Sequence, residues 1–185
     1  YRGSVLGIAW SFLIPILMLA IYIFVFSFVF KARWGGESGS KLEFGLFLYA
    51  GLIVHSLFAE CASKAPLLII GNPNFVKKVV FPLEILPLVS MCSVLIHSAL
   101  NVAVLLVAQL LFHGSLQWTA LFLPIVLLPL IVFTLGTSWF LASLGTYVRD
   151  VTQLVGLVMT VLLFMSPIFY PASVLPEEIR PFLFL

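Results

Sequence analysis

The sequence predicts an all-α protein, a polytopic transmembrane helical bundle with five spans. Of its 185 residues, 63% are hydrophobic and 9% are charged, whereas soluble domains have roughly 45–50% apolar and about 25% charged residues. One soluble core of this size could not bury so much apolar surface, so most of the surface is expected to face lipid. This excludes a disordered chain, a disulfide-rich secreted domain and a nucleic-acid binder.

The first predicted span covers residues 7–30. A helix needs about 20 mostly apolar residues to cross a hydrocarbon core of roughly 30 Å, and no charge lies between Arg2 and Lys31. Pro15 is tolerable inside this helix if a neighbouring helix satisfies the carbonyl that it frees. Residues 31–43 are rich in glycine, serine and charge, which is typical of a solvated loop.

The second predicted span, residues 44–61, carries polar side chains that need an explanation. Glu60 and Lys64 are one helical turn apart, so they predict an ion pair at the membrane edge. A proton relay through His55 and Glu60 is the alternative interpretation. Residues 62–81 are too polar at both ends for a span, and their short apolar runs are typical of a segment in the interface.

Three further spans follow in the second half of the chain. Residues 83–112 are entered through Pro82 and are long enough to tilt, and residues 118–145 begin at Trp118, an interfacial anchor. The fifth predicted span covers residues 151–170. Because five spans leave the two ends on opposite sides of the membrane, they also suggest a sixth outside this sequence.

No motif indicates enzymatic chemistry. The sequence contains no G-x-x-x-x-G-K-[ST] phosphate loop, no H-E-x-x-H and no G-x-S-x-G. Cys61 and Cys92 lack metal-ligand spacing and are expected to act as small hydrophobes. We therefore predict that the chain is not an enzyme, and that it has no catalytic residue, no metal and no cofactor of its own.

Aromatic side chains recur on one face of the first span. Tyr22, Phe26 and Phe30 follow each other every four residues and so form a stripe. With Trp10 of the same helix, Tyr22 and Phe26 are our candidates for the wall of a substrate channel, because aromatic faces can stack on sugar rings. Lipid contact and helix packing are the alternative interpretation.

Four stretches, taken together and in this order, resemble the permease subunits of ABC-type polysaccharide exporters. Residues 2–15 read R-G-S-V-L-G-I-A-W-S-F-L-I-P, and residues 72–87 read N-P-N-F-V-K-K-V-V-F-P-L-E-I-L-P. Residues 144–154 read L-G-T-Y-V-R-D-V-T-Q-L, and residues 166–177 read S-P-I-F-Y-P-A-S-V-L-P-E. These stretches are spaced over nearly the whole chain.

The resemblance implies a single transmembrane domain over residues 1–185 that exports a lipid-linked polysaccharide or polyol-phosphate polymer (O-antigen, capsule or teichoic acid) across the bacterial plasma (inner) membrane. It implies a second copy of the chain and a nucleotide-binding ATPase subunit, which binds the ATP. The family pattern has an amphipathic helix before Arg2 and a sixth span after Leu185. We therefore expect the natural chain to extend in both directions.

The resemblance also places residues 71–81 on the cytoplasmic side, in the region that couples to the ATPase. Residues 147–150 are the other segment expected to leave the membrane there, and residues 171–185 match an external re-entrant hairpin. The candidate contacts with the ATPase are Asn72, Phe75, Lys77, Lys78, Arg149 and Asp150. Leu83 departs from the family pattern, in which Arg often precedes the position of Glu84.

Two functions of other classes stay open at this point. A proton-coupled secondary transporter would use His55 or Glu60 and would need no ATPase. A membrane scaffold of a polymer-synthesis complex would tolerate changes in the coupling segments without loss of export.

The paired lysines of the first coupling segment give a direct test. Replacing them together, Lys77→Glu with Lys78→Glu, should leave the protein inserted but abolish export, because the reversed charges would repel acids on the ATPase. Export and copurification with the ATPase subunit would be measured. Unaltered export with normal association would show that the lysines are only positive-inside anchors.

Overall fold

A computed structural model describes residues 9–25, 41–73, 82–114 and 118–170, and within these ranges the chain forms helices and turns but no strand. The α-helices are α1 (Ala9–Tyr22), α2 (Lys41–Lys64), α3 (Ile85–His113), α4 (Leu123–Tyr147) and α5 (Val151–Met165). Short 3₁₀ helices, Ala65–Leu67 and Trp118–Phe122, follow α2 and precede α4. The prediction of an all-α fold is confirmed.

Three of the predicted spans are confirmed by length and composition, and the predicted end of the second, residue 61, is wrong because its helix continues to Lys64. The segments Glu43–Leu67, Ile85–Phe112 and Trp118–Tyr147 are long and apolar enough to cross a membrane. The first and fifth predicted spans contain shorter apolar helices, Ala9–Val25 and Val151–Met165. The end of the first predicted span lies outside the described residues.

The predicted end of the fifth span, residue 170, is wrong, because α5 stops at Met165. A residue before proline is biased away from helical geometry, and Ser166 precedes Pro167. The chain then folds back, and the Tyr170 hydroxyl donates to the carbonyl of Met165 at 3.0 Å. The 15 residues of α5 correspond to a helix of about 22 Å, which is shorter than the hydrocarbon core.

The predicted ion pair within α2 is confirmed. Lys64 Nζ lies 2.5 Å from Glu60 Oε1, and both side chains are partly exposed. His55 instead has its Nε2 atom 3.2 Å from the carbonyl oxygen of Met159 in α5. The two side chains of the hypothetical proton relay therefore each have a partner of their own.

The chain divides into two compact units. Unit 1 comprises Tyr1–Ile53, Leu100–Ser115 and Val161–Leu185, and unit 2 comprises Val54–Ala99 and Leu116–Thr160. Helices α2 and α3 contribute residues to both units, whereas α4 belongs to unit 2.

Unit 1 is organised around Tyr49 of α2. Its ring is buried beside Leu19 of α1 and Ala108 of α3. Its hydroxyl lies 3.0 Å from Asn101 Oδ1 and 3.3 Å from the carbonyl oxygen of Pro15, so these two acceptors share one proton. One side chain therefore connects α1, α2 and α3.

Unit 2 has two buried clusters. One joins α2 to α3 and contains Leu57, Cys61, Met91 and Val94. The other joins the end of α2 to α5 and contains Ala62, Val151, Val155 and Met159.

The buried face of α4 consists of small residues, Thr134, Ser138, Ala142 and Gly145. Small side chains let helices approach closely, which favours packing in a membrane because lipid gives no hydrophobic drive between helices.

The hydroxyl of Tyr49 can be removed without changing the core by the substitution Tyr49→Phe. Because a hydrogen bond within a membrane protein contributes about 0.6–1.7 kcal/mol, we expect the free energy of unfolding to fall by that amount. Unfolding would be followed by circular dichroism during SDS titration of mixed micelles. Tyr22→Phe is the matched control, since its ring centroid lies 6.2 Å from that of Tyr49 but its hydroxyl bonds to no described residue. Equal losses in the two variants would contradict the role of Tyr49.

Candidate functional site

The connection that follows α2 lies directly against the end of α4. Gly145 makes this contact, because a Cβ atom at this position would lie 2.6 Å from the Cα atom and 2.8 Å from the carbonyl carbon of Pro66. These are backbone atoms, so they could not move aside as a flexible side chain would. The contact brings together the starts of the two connections in which coupling residues were predicted.

The connection after α2 is an ordered turn held by its own backbone. The Leu68 amide donates to the carbonyl of Ala65 at 3.1 Å, and the Gly71 amide donates to that of Leu67 at 2.8 Å. The Asn72 side-chain amide then donates to the carbonyl of Leu68 at 2.8 Å. The structure therefore shows Asn72, a predicted ATPase contact, holding the shape of the turn.

The second connection, residues 147–150, is a tight turn between α4 and α5. The Val148 amide donates to the carbonyl of Leu144 at 3.0 Å, and the carbonyl of Asp150 accepts from the amide of Leu154 at 3.1 Å. Tyr147 is 84% exposed, and both charged side chains of the turn are also exposed. Neither Arg149 nor Asp150 makes a side-chain hydrogen bond or ion pair within the described ranges. They are therefore available to a partner.

A buried cluster of residues from α2, α4 and α5 packs next to this turn. Val151, the first residue of α5, packs together with Ala62 of α2, and Leu144 of α4 packs against the same cluster. Since protein interiors are close-packed and transmit strain, a displacement of the turn would move the ends of α2, α4 and α5 together.

A hydrogen bond also fixes the start of α3 to α4. Trp139 Nε1 donates to the carbonyl oxygen of Glu84 at 3.0 Å. This interaction and the contact of Gly145 with Pro66 were not among our predictions. The signal that could have revealed the contact is the spacing of Thr134, Ser138, Ala142 and Gly145, which places four small residues on one helix face.

The other predicted site residues have different outcomes. Phe75, Lys77 and Lys78 of the coupling segment, and Phe26 of the aromatic stripe, lie outside the described residues. Of the channel candidates, Trp10 is partly exposed and Tyr22 is half-buried. The Tyr22 ring lies 6.2 Å from that of Tyr49, centroid to centroid. Their role in a channel stays a prediction.

Comparison with known proteins identifies the family. Residues 1–184 match the sequence model of the ABC-2 type transporter family. The chain belongs to this family. The resemblance found in the four sequence stretches is thereby confirmed, and an ABC-2 chain with three long apolar helices is a multi-pass protein of the bacterial inner membrane.

The relatives of this ABC-2 chain include two bacterial permeases. It is 30% identical over 181 residues to the O-antigen export system permease protein RfbA of Klebsiella pneumoniae. It is 28% identical over 178 residues to the protein of the same name from Myxococcus xanthus. Each match covers 96% of this chain but 66% of the relative, so the chain spans just under two thirds of the length of these relatives.

The contact between Gly145 and Pro66 can be tested with a single methyl group. Gly145→Ala should lower the free energy of unfolding by about 1–3 kcal/mol, the usual effect of overpacking. Gly136→Ala makes the same change in the same helix where no atom lies within 4 Å, and it should be neutral or stabilise the helix by up to about 1 kcal/mol. Circular dichroism during SDS titration of mixed micelles would measure both free energies. Equal stability of the two variants would contradict the close contact.

Proposed function

We propose that this chain is the membrane-spanning subunit of an ATP-driven exporter, and that its cargo is a lipid-linked polysaccharide of the O-antigen class. Membership of the ABC-2 type transporter family supports the first part, and the names of the relatives support the choice of cargo. The proposal depends on the packing of the two connections, in which Gly145 contacts Pro66. The adjoining turn exposes the charged side chains of Arg149 and Asp150.

The energy for export would come from a separate subunit. Membership of the ABC-2 type transporter family supports a partner that binds and hydrolyses ATP, and residues 1–185 contain no phosphate-binding loop. The work of this partner can enter only through segments that leave the membrane on the side of the ATPase. The turn at residues 147–150 is one such segment, and its exposed charges suit a partner surface of complementary charge.

The mechanism that we propose moves three helix ends as one body. A push on the turn acts on Val151, and the packing of Val151 with Ala62 carries the displacement to α2. The close contact of Gly145 with Pro66 prevents α4 from moving independently. A change of state in the ATPase could then shift the packed ends of α2, α4 and α5 and open a path for the cargo.

The path itself is proposed to form with a second copy of the chain. Trp10, Tyr22 and Phe26 remain our candidates for its wall, because flat aromatic faces can stack on sugar rings without using charge. In this proposal the chain carries out no covalent chemistry, and ATP hydrolysis belongs to the partner.

The proton-coupled alternative receives no support from the polar residues that it would use. Glu60 is paired with Lys64, and His55 contacts a backbone carbonyl. No observation among the described residues favours a scaffold over a transporter either.

Arg149→Glu tests the coupling role of the turn. We expect export to fall at least about tenfold, because reversing one charge of an interfacial pair costs about 2 kcal/mol or more. Insertion should be unchanged, since the side chain has no partner among the described residues. Export and association with the ATPase subunit would be measured in reconstituted complexes.

Lys64→Gln is the control for this experiment. It removes a cation from the same unit, but one that is already paired within α2, and exposed pairs of this kind contribute only about 0–1 kcal/mol. Export should therefore stay normal in the control. Normal export in Arg149→Glu would favour the scaffold alternative, and export that needs a proton gradient but no ATP would favour the secondary transporter.

A further inference from the structure

Unit 2 contains an open pocket of about 390 Å³ that no part of the proposed mechanism uses. Its apolar walls are formed by Ile69 from the connection after α2, Leu83 and Pro87 from the start of α3, and Trp139 and Ala142 from α4. The volume is within the range of small-molecule sites, and apolar walls with a few polar groups are typical of them.

The charged group of this pocket is the carboxylate of Glu84. The residue is exposed, and no cation pairs with it among the residues that the structure describes. It immediately precedes α3, which begins at Ile85. Among the described residues, the pocket therefore offers a carboxylate without a cationic partner beside an apolar wall.

The pocket also lies at the edge of the membrane-spanning segments. Glu84 comes directly before the span Ile85–Phe112, whereas Trp139 and Ala142 lie inside the span Trp118–Tyr147. Three wall residues, Pro87, Trp139 and Ala142, therefore lie within the spans, whereas Glu84 lies at the boundary together with Ile69 and Leu83. This arrangement matches an amphiphile with an apolar tail and a cationic head.

Trp139 is held in a fixed position at this pocket. Its indole N–H donates to the carbonyl oxygen of Glu84, so the ring is tied to the residue that carries the charge. The side chain is nevertheless 42% exposed, which leaves ring surface for a ligand. A ring face within about 6 Å of a cation attracts it, and an indole does so most strongly.

We propose that this pocket binds a phospholipid with a primary ammonium head group, of the phosphatidylethanolamine type, from the surrounding membrane. The ammonium would donate hydrogen bonds to the Glu84 carboxylate beside the Trp139 ring, and an acyl chain would lie against Leu83, Pro87 and Ala142. An anionic lipid without an amine, or a phosphate-linked cargo, would be repelled by Glu84. The ligand is thus a structural membrane lipid, and the inference does not depend on the proposed export function.

The experiment uses Trp139 as its own reporter. The chain has four tryptophans, so the background protein carries Trp10→Phe, Trp34→Phe and Trp118→Phe and keeps Trp139. It would be reconstituted into phosphatidylcholine vesicles that contain a small fraction of acyl-brominated phosphatidylethanolamine, phosphatidylcholine or phosphatidylglycerol. Bromine quenches tryptophan fluorescence on contact, so we expect the ethanolamine lipid to quench Trp139 at the lowest fraction.

Two variants change the charge of the pocket in different ways: one removes the carboxylate and the other adds a cation beside it. Glu84→Gln keeps the size of the side chain, and Leu83→Arg places a cation beside the intact carboxylate. In each, the preference for the ethanolamine lipid should fall at least about tenfold, the loss expected for a hydrogen bond to a charged group. Because the variants differ chemically, misfolding of one would leave the other to decide. Glu60→Gln is the control and should keep the preference, since that acid is already paired with Lys64.

The outcomes separate the possible occupants of the pocket. Equal quenching by the three lipids, or a preference that survives both Glu84→Gln and Leu83→Arg, would overturn the proposal. Loss of association with the ATPase in Glu84→Gln without any lipid preference would also overturn it, because the occupant would then be a basic side chain of a partner protein. Failure of the Arg149→Glu prediction would leave the lipid result unaffected.

Discussion

Hydrocarbon offers no partner to an unpaired backbone amide or carbonyl, and the architecture of this chain follows from that constraint. The long helices satisfy most of it within themselves, since backbone groups in a helix interior bond within their own helix. In two places beyond a helix, a side chain supplies a partner to a backbone carbonyl. Asn72 donates to the carbonyl of Leu68 after α2, and Tyr170 donates to that of Met165 at the end of α5.

Other backbone carbonyls connect the helices to each other. Tyr49 reaches the carbonyl of Pro15, Trp139 reaches that of Glu84, and His55 lies beside that of Met159. A carbonyl oxygen has two lone pairs, so it can accept a side-chain hydrogen bond without giving up its own helical bond. Polar side chains can therefore fix the positions of apolar helices without exposing an unsatisfied group to lipid.

Close packing sets the position of the proposed coupling surface. The small residues on the buried face of α4 end at Gly145, where the absence of a side chain admits the backbone of Pro66. The connection after α2 and the turn that carries Arg149 are therefore neighbours in unit 2. A force applied at one of them would reach the other through backbone contact, as the proposed coupling to an ATPase requires.

The sequence by itself determined the helical membrane class, the three long spans and the pairing of Glu60 with Lys64. These depend on composition, on the length of apolar runs and on the geometry of one helix. Only the tertiary structure decided that Pro66 meets Gly145 and that Trp139 is hydrogen-bonded to Glu84. Hydropathy records whether a side chain prefers lipid or water, but it carries no information about which helix faces fit together. That choice depends on the shapes of residues far apart in the chain.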